Sequence, residues 1–208
     1  LFVQQSDNAV WGFHAEKLTS MWKFTSSKDA LDFPPVVNEH SAYLLTKGTL
    51  HCVALNNGRV RWSVLLPFVP SCAPAVTSND IFIGGHDDRL YSITIAESGT
   101  SVHRARIKWK KKLGSYISST PVIAMVDGLP QIYACTYKGA IYSFKASGTQ
   151  AEGSAEVLGP MIAPYSSYLT GQNRYVIFPS FAGQINAYHL KWGLGAALDG
   201  SKATGWSY

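Results

Sequence analysis

The chain has 208 residues, long enough for one sizeable or two small domains, and its 46% apolar content excludes a disordered chain. Charged residues are only 15%, leucine-type heptads are absent, and no apolar run nears the roughly 18 residues of a membrane span. Lys and Arg number 18 against 13 Asp and Glu, a net charge of +5, and no basic-then-apolar signal segment opens the chain at Leu1.

With 18 Gly and 10 Pro at frequent intervals, short strands and many turns are expected, and they come in sets. The first set is Leu1-Phe2-Val3, then Asn8-Ala9-Val10-Trp11-Gly12-Phe13, then a strand centred on Trp22. The second opens at Pro35-Val36-Val37 and continues through Ala42-Tyr43-Leu44-Leu45 and Gly48-Thr49-Leu50-His51-Cys52-Val53 to Trp62. The third opens at Pro74-Ala75-Val76. It runs through Ile81-Phe82-Ile83 and Asp88-Arg89-Leu90-Tyr91-Ser92-Ile93 to Trp109, with Ser98 to Arg106 read as a lengthened hairpin. The fourth is Pro121-Val122-Ile123, Gln131-Ile132-Tyr133-Ala134 and Gly139-Ala140-Ile141-Tyr142-Ser143-Phe144, with Gly153 where the Trp would fall. The fifth is Pro164-Tyr165-Ser166, Arg174-Tyr175-Val176-Ile177-Phe178 and Gly183-Gln184-Ile185-Asn186-Ala187-Tyr188, ending at Trp206.

The third segments align column by column. Their first position is Asn, Gly, Asp, Gly, Gly, residues that tolerate a left-handed turn. Their third and sixth positions are apolar or aromatic, as strand cores require. The fifth, Gly12, Cys52, Ser92, Ser143 and Ala187, is always small. The opening prolines step by 39, 47 and 43 residues, and a proline at the start of a strand loses no ladder bond. Four antiparallel strands per unit of about 40 to 50 residues is the blade of a β-propeller. The predicted fold is all-β, a β-propeller of about five four-stranded antiparallel blades at approximately 1–30, 31–70, 71–117, 118–159 and 160–208. Leu1 enters at a second strand, so an arc that is part of a larger propeller is expected. Its unclosed blade edges would be prone to association.

These columns resemble the pyrroloquinoline-quinone (PQQ) repeat of quinoprotein-like propellers, whose tryptophan-docking motif runs roughly Ala-x-Asp-x-x-Thr-Gly-x-x-x-Trp. Cys52-Val53-Ala54-Leu55-Asn56-Asn57-Gly58-Arg59-Val60-Arg61-Trp62 matches it at the Gly and the Trp. The resemblance implies that Trp22, Trp62, Trp109 and Trp206 dock between blades, each over a small residue of the column in the neighbouring blade. The catalytic members carry an adjacent cysteine pair, a calcium or lanthanide site of Glu, Asn and Asp, and a catalytic Asp. Here no two cysteines adjoin, no CxxCH occurs, and the motif's Asp column reads His14, Ala54, Thr94, Lys145 and His189. The chain thus resembles the non-catalytic, BamB-like branch, and no catalytic, cofactor-binding or metal residue and no cofactor is expected.

Other features read blandly. Cys52, Cys72 and Cys135 form no disulfide framework and are expected as buried thiols inside strands. Arg104, Arg106, Lys108 and Lys110 alternate with Ala105, Ile107 and Trp109, the period of a half-buried edge strand with a charged outer face, the alternative being a patch for nucleic acid or anionic lipid. Gly84-Gly85-His86-Asp87-Asp88 reads as a hairpin turn. His14 and His189 read as exposed strand positions. Ser118-Ser119-Thr120 and Ser166-Ser167 lack the Gly-x-Ser-x-Gly elbow of a nucleophile. Trp11 and Trp192 are left as candidates for an exposed carbohydrate platform.

Blade topology brings the second-to-third strand turns to the same propeller face as the linkers into the next blade. That face is expected to carry Asp7, Lys47, His86, Asp87, Tyr137, Lys138 and Phe181, joined by Phe68, Val69, Ser115 and Tyr116. Mixed aromatic and charged groups suit a protein or peptide partner rather than nucleic acid. The expected function is a non-catalytic protein-binding scaffold in the bacterial periplasm or envelope, in outer-membrane protein assembly, with no integral membrane segment. The alternatives are a fragment of a PQQ-dependent dehydrogenase, or an accessory or sensor domain of a larger multidomain enzyme, which would be cytoplasmic.

Overall fold

The structure, a computed structural model, describes residues 2–6, 9–26, 31–98, 102–149, 155–156, 166–170, 173–179 and 185–189, with side chains over 9–26, 31–95 and 105–149. The described elements are all β-strands, and they form five antiparallel sheets in chain order. The first holds β1 (Phe2–Ser6), β2 (Ala9–Phe13) and β3 (Ser20–Thr25). The second holds β4 (Val36–Val37), β5 (Ser41–Thr46), β6 (Thr49–Ala54) and β7 (Val60–Leu65). The third holds β8 (Ala75–Val76), β9 (Ile81–Gly85), β10 (Arg89–Ser98) and β11 (Val102–Lys112). The fourth holds β12 (Val122–Val126), β13 (Leu129–Cys135), β14 (Ala140–Lys145) and β15 (Ala155–Glu156). The fifth holds β16 (Ser166–Thr170), β17 (Asn173–Pro179) and β18 (Ile185–His189).

Every strand pairs with its neighbour in sequence and no connection crosses over, which is the up-and-down order of a propeller blade. The sheets form an open arc and do not close into a ring among the described residues. Pro35, Pro74 and Pro121 each stand immediately before a first strand, where the missing N–H costs no ladder bond. The apolar columns fill the core: Val10, Leu50, Leu90 and Ile93 are fully buried, and Ile141 and Phe144 nearly so. Between β5 and β6 the turn needs positive φ at both Lys47 (44°) and Gly48 (74°), the geometry that matches the twist of a hairpin.

The tryptophans join the blades, in a way that differs from the sequence expectation. Gly12 lies opposite Trp22, Cys52 opposite Trp62 and Ser92 opposite Trp109, in each case within one sheet. The small column therefore makes room for the indole of its own blade, not of a neighbour. The ladder register shifts just after each small residue, at Gly12/Phe13, Cys52/Val53 and Ser92/Ile93. A Cβ on Gly12 would fall on the Trp22 ring. The contact with the next blade is made by a glycine turn. Trp22 Nε1–H donates to the Leu55 carbonyl at 2.6 Å and Trp109 Nε1–H to Ala146 at 2.9 Å, with Gly58 and Gly148 against the two indoles. Trp62 faces the third blade, where the lengthened β10–β11 hairpin replaces that turn, and it lines a cavity of about 500 Å³ with Asp80 and Thr94. Ser143 lies in β14 and Ala187 in β18, while Trp206 falls outside the described residues.

Two further expectations need correction. Cys52 and Cys135 lie in strands, but Cys72 occupies the linker between β7 and β8. There it is buried, and its sulfur accepts the Gly84 N–H at 3.3 Å. The strict alternation along β11 also fails at Ile107, which is 37% exposed, because the bulge opposite Ser92 inserts one extra residue. Lys108, the inserted residue, reaches back to Asp80 at 2.7 Å. Gly84 and Gly85 close β9, and the His86–Asp88 turn leads into β10.

Candidate functional site

The turns joining second to third strands and the linkers joining successive blades gather on one rim. Lys47 lies in the β5–β6 turn, His86 and Asp87 in the β9–β10 turn, and Tyr137 and Lys138 in the β13–β14 turn. Phe68 and Val69 lie in the linker after β7, and Ser115 and Tyr116 in the linker after β11. Asp7 and Phe181 lie outside the described residues.

Backbone hydrogen bonds tie each turn to its linker. His86 N–H donates to the Val69 carbonyl and Tyr137 N–H to the Tyr116 carbonyl, both at 3.0 Å. This anchoring lines up three rings across the third and fourth blades. The centroids of His86 and Tyr116 are 6.3 Å apart, those of Tyr116 and Tyr137 are 5.0 Å apart, and the latter planes meet at 16°. Tyr137 is 41% exposed, so the row presents its edge to solvent while its backbone is held. Ser115 is buried instead of exposed, and takes no part in the rim surface.

Beside the row lies an open groove of about 650 Å³, lined by Phe33, Lys47, Leu65, Phe68, Val69 and His86 among others. Leu65 and Val69 are 71% and 68% exposed, an apolar floor with a cation and an imidazole at its border. Asp32 braces the far wall by accepting the Gly48 N–H at 3.1 Å. Phe68 stacks on Tyr91 with centroids 3.8 Å apart and planes 5° from parallel. Tyr91 in turn donates its hydroxyl to Asp87 at 2.6 Å, and Arg89 pairs with the same carboxylate oxygen at 2.6 Å. Partial burial alone would raise the Asp87 pKa. The hydrogen bonds from Tyr91 and Arg89 outweigh it, so the carboxylate sits below its ordinary value. Burial, helped by that carboxylate, pushes the Tyr91 hydroxyl up to about 12.

Phe33, Leu65, Arg89 and Tyr91 were not legible as site residues. Leu90 was recognised as core, and strand alternation then sends its neighbours Arg89 and Tyr91 to the other face. Their convergence on Asp87 depends on the turn's conformation, with Asp88 at φ 63°. The remaining candidates do not converge. His14 sits in the turn after β2, its Nδ1 3.4 Å from the Lys17 N–H, rather than in a strand, and His189 ends β18 in another blade. Trp11 is half-buried, with Lys23 Nζ 4.9 Å from its ring centre, so it is no open carbohydrate platform. Trp192 lies outside the described residues. Among the described residues no cluster of three or more His, Cys, Asp or Glu has metal-binding geometry. The site is thus a grooved, aromatic, partly charged surface, equipped for contact.

The comparisons with known proteins agree with this architecture. Among solved structures, BamB from Moraxella catarrhalis superposes with a TM-score of 0.61 at 17% identity, over 97% of this chain and 58% of that one. The BBS1N chain of a complex with ARL6DN gives 0.68 at 14% identity over 97% and 65%, and a chain of the mitotic checkpoint complex gives 0.67 at 11% over 95% and 58%. The chain therefore spans about three-fifths of the length of these propellers. No curated protein matches it in sequence. A family model described as outer membrane protein assembly factor BamB matches residues 1–119, more than half of the chain. The chain belongs to the BamB family of PQQ-repeat β-propellers.

Proposed function

We infer that the chain is a non-catalytic scaffold that binds a protein or peptide partner on the rim carrying His86, Tyr116 and Tyr137, in the bacterial envelope and in the service of outer-membrane protein assembly. The stacked row beside an apolar groove carries this reading. Aromatic side chains held by backbone hydrogen bonds bury large area at little entropic cost, which is what binding hot spots require. Lys47 at the groove's border supplies charge to orient the partner.

Two observations support the assignment. The family model is that of an assembly factor, and two of the similar folds come from structures of protein complexes. No described helix is long and apolar enough to cross a membrane. The test is a pull-down from the host's envelope with the wild-type chain and a Tyr116→Ala/Tyr137→Ala variant whose circular dichroism is unchanged. The partner should be lost from the variant; equal recovery would sink the reading.

A further inference from the structure

β11 runs for 11 residues against 6 in β3 and β7, and it is the outermost strand of its sheet. Among the described residues β10 is its one ladder partner, so half of its backbone N–H and C=O groups point away from the sheet. β9 pairs with β10 only along Arg89–Ile93. Thr94–Ser98 and Val102–Arg106 therefore continue beyond β9 as a two-stranded ribbon, at the end away from the aromatic rim, its base packing Ile95 and Ala105 on the core and approaching β7 of the preceding blade. Beyond β9 the ribbon has two strands where the blade has more, and the outer edge of β11 has no ladder partner among the described residues.

Charge states which strand would fit. β11 contains Arg104, Arg106, Lys108, Lys110, Lys111 and Lys112 and no carboxylate. Asp80 engages Lys108, whereas Arg106, Lys110, Lys111 and Lys112 are exposed and make no ion pair among the described residues. Cations along an edge keep a second copy of the chain from pairing there, because like charges would face each other. The same cations favour an acidic strand. We propose that the outer edge of β11 accepts an extended, acidic segment of a partner protein as an added strand, its carboxylates set against Arg106, Lys110, Lys111 and Lys112. Lys111 leaves the strand on one side and Lys110 and Lys112 on the other, which suits a neighbouring strand better than a flat lipid surface. Trp109 is already seated on Gly148 and is not offered to a nucleic-acid base.

The experiment is fluorescence anisotropy of the full chain with a labelled Glu-Val peptide of about ten residues, its pairs of Glu alternating with pairs of Val so that carboxylates fall on both faces of the added strand. A control peptide keeps the charge but carries two central prolines. Binding should be saturable, lost with the proline peptide, and weakened about tenfold or more by Lys110→Glu/Lys111→Glu/Lys112→Glu. If that variant fails to fold, Arg106→Glu alone should weaken binding in the same direction. Absence of binding, or equal binding of the proline peptide, would overturn strand addition. So would sedimentation of the chain with phosphatidylglycerol vesicles, or binding to a single-stranded oligonucleotide, when the Glu-Val peptide does not bind.

Discussion

The indole of Trp22 rests against Gly58 of the next blade, and a Cβ added at Gly58 would lie 2.7 Å from the Trp22 Cβ. Glycine is required there twice over, by the close approach and by a φ of +70°. Gly114 has a similar φ of +77° but nothing within 4 Å of its added Cβ. Gly114→Ala should thus cost about 1 kcal/mol from the backbone alone, and Gly58→Ala about 2–4 kcal/mol once the indole is displaced. Urea unfolding of the two variants measures the difference, and equal losses would refute the docking role of Trp22.

The small column is selected for size and not for its hydroxyl. Ser92 and Ser143 are fully buried, and neither Oγ has a hydrogen-bond partner among the described residues. Removing an unsatisfied buried hydroxyl is neutral to favourable, so Ser92→Ala should leave stability unchanged or raise it by up to about 1 kcal/mol. Ser92→Val, which adds volume opposite Trp109, should cost about 1–3 kcal/mol. Thermal melts of the pair check both signs.

His51 gives the fold a pH dependence. Burial lowers its pKa from 6.5, while Thr46 Oγ1 at 2.8 Å and Ser63 Oγ at 2.7 Å hold the ring. With the folded value below the unfolded one, the unfolded chain binds the proton first. Stability is therefore complete above pH 6.5 and falls as the pH drops below it. The loss of urea midpoint between pH 8 and pH 5.5, both about one unit or more from that value, should be smaller in His51→Gln than in the wild type. An unchanged or larger loss in His51→Gln would contradict the assignment.

The three thiols should be inert in the native chain. Cys52, Cys72 and Cys135 are buried, and burial pushes Cys72 up to about 12 and Cys135 up to about 11. A thiolate is needed for attack, so Ellman's reagent at pH 8 should modify none of them until urea is added, and all of them afterwards. Fast modification of the native protein would place at least one thiol at the surface.

The repeat was legible because its physics is local. Turn formers at Gly48 and Asp88, apolar residues such as Leu50 and Leu90, and strand-opening prolines each obey one rule within a few residues, and together they state the blade. What sequence could not show were relations that cross strands or blades. Cys52 and Trp62 are separated by a hairpin, and only the register reveals that they face each other within one sheet. The rim turns were traceable by topology. The burial of Ser115 and the convergence of Arg89 and Tyr91 on Asp87 depend on chain directions that no spacing rule encodes.

The central claim, partner binding on the aromatic rim, is tested most directly by photo-crosslinking in cells of the host. A photoreactive phenylalanine analogue would be placed at Tyr137 on the rim, or at Glu39 in the β4–β5 turn on the opposite side. The account predicts a discrete protein adduct from position 137, absent from position 39 and lost when Tyr116→Ala is added. No adduct from 137, or the same adduct from both positions, would contradict it.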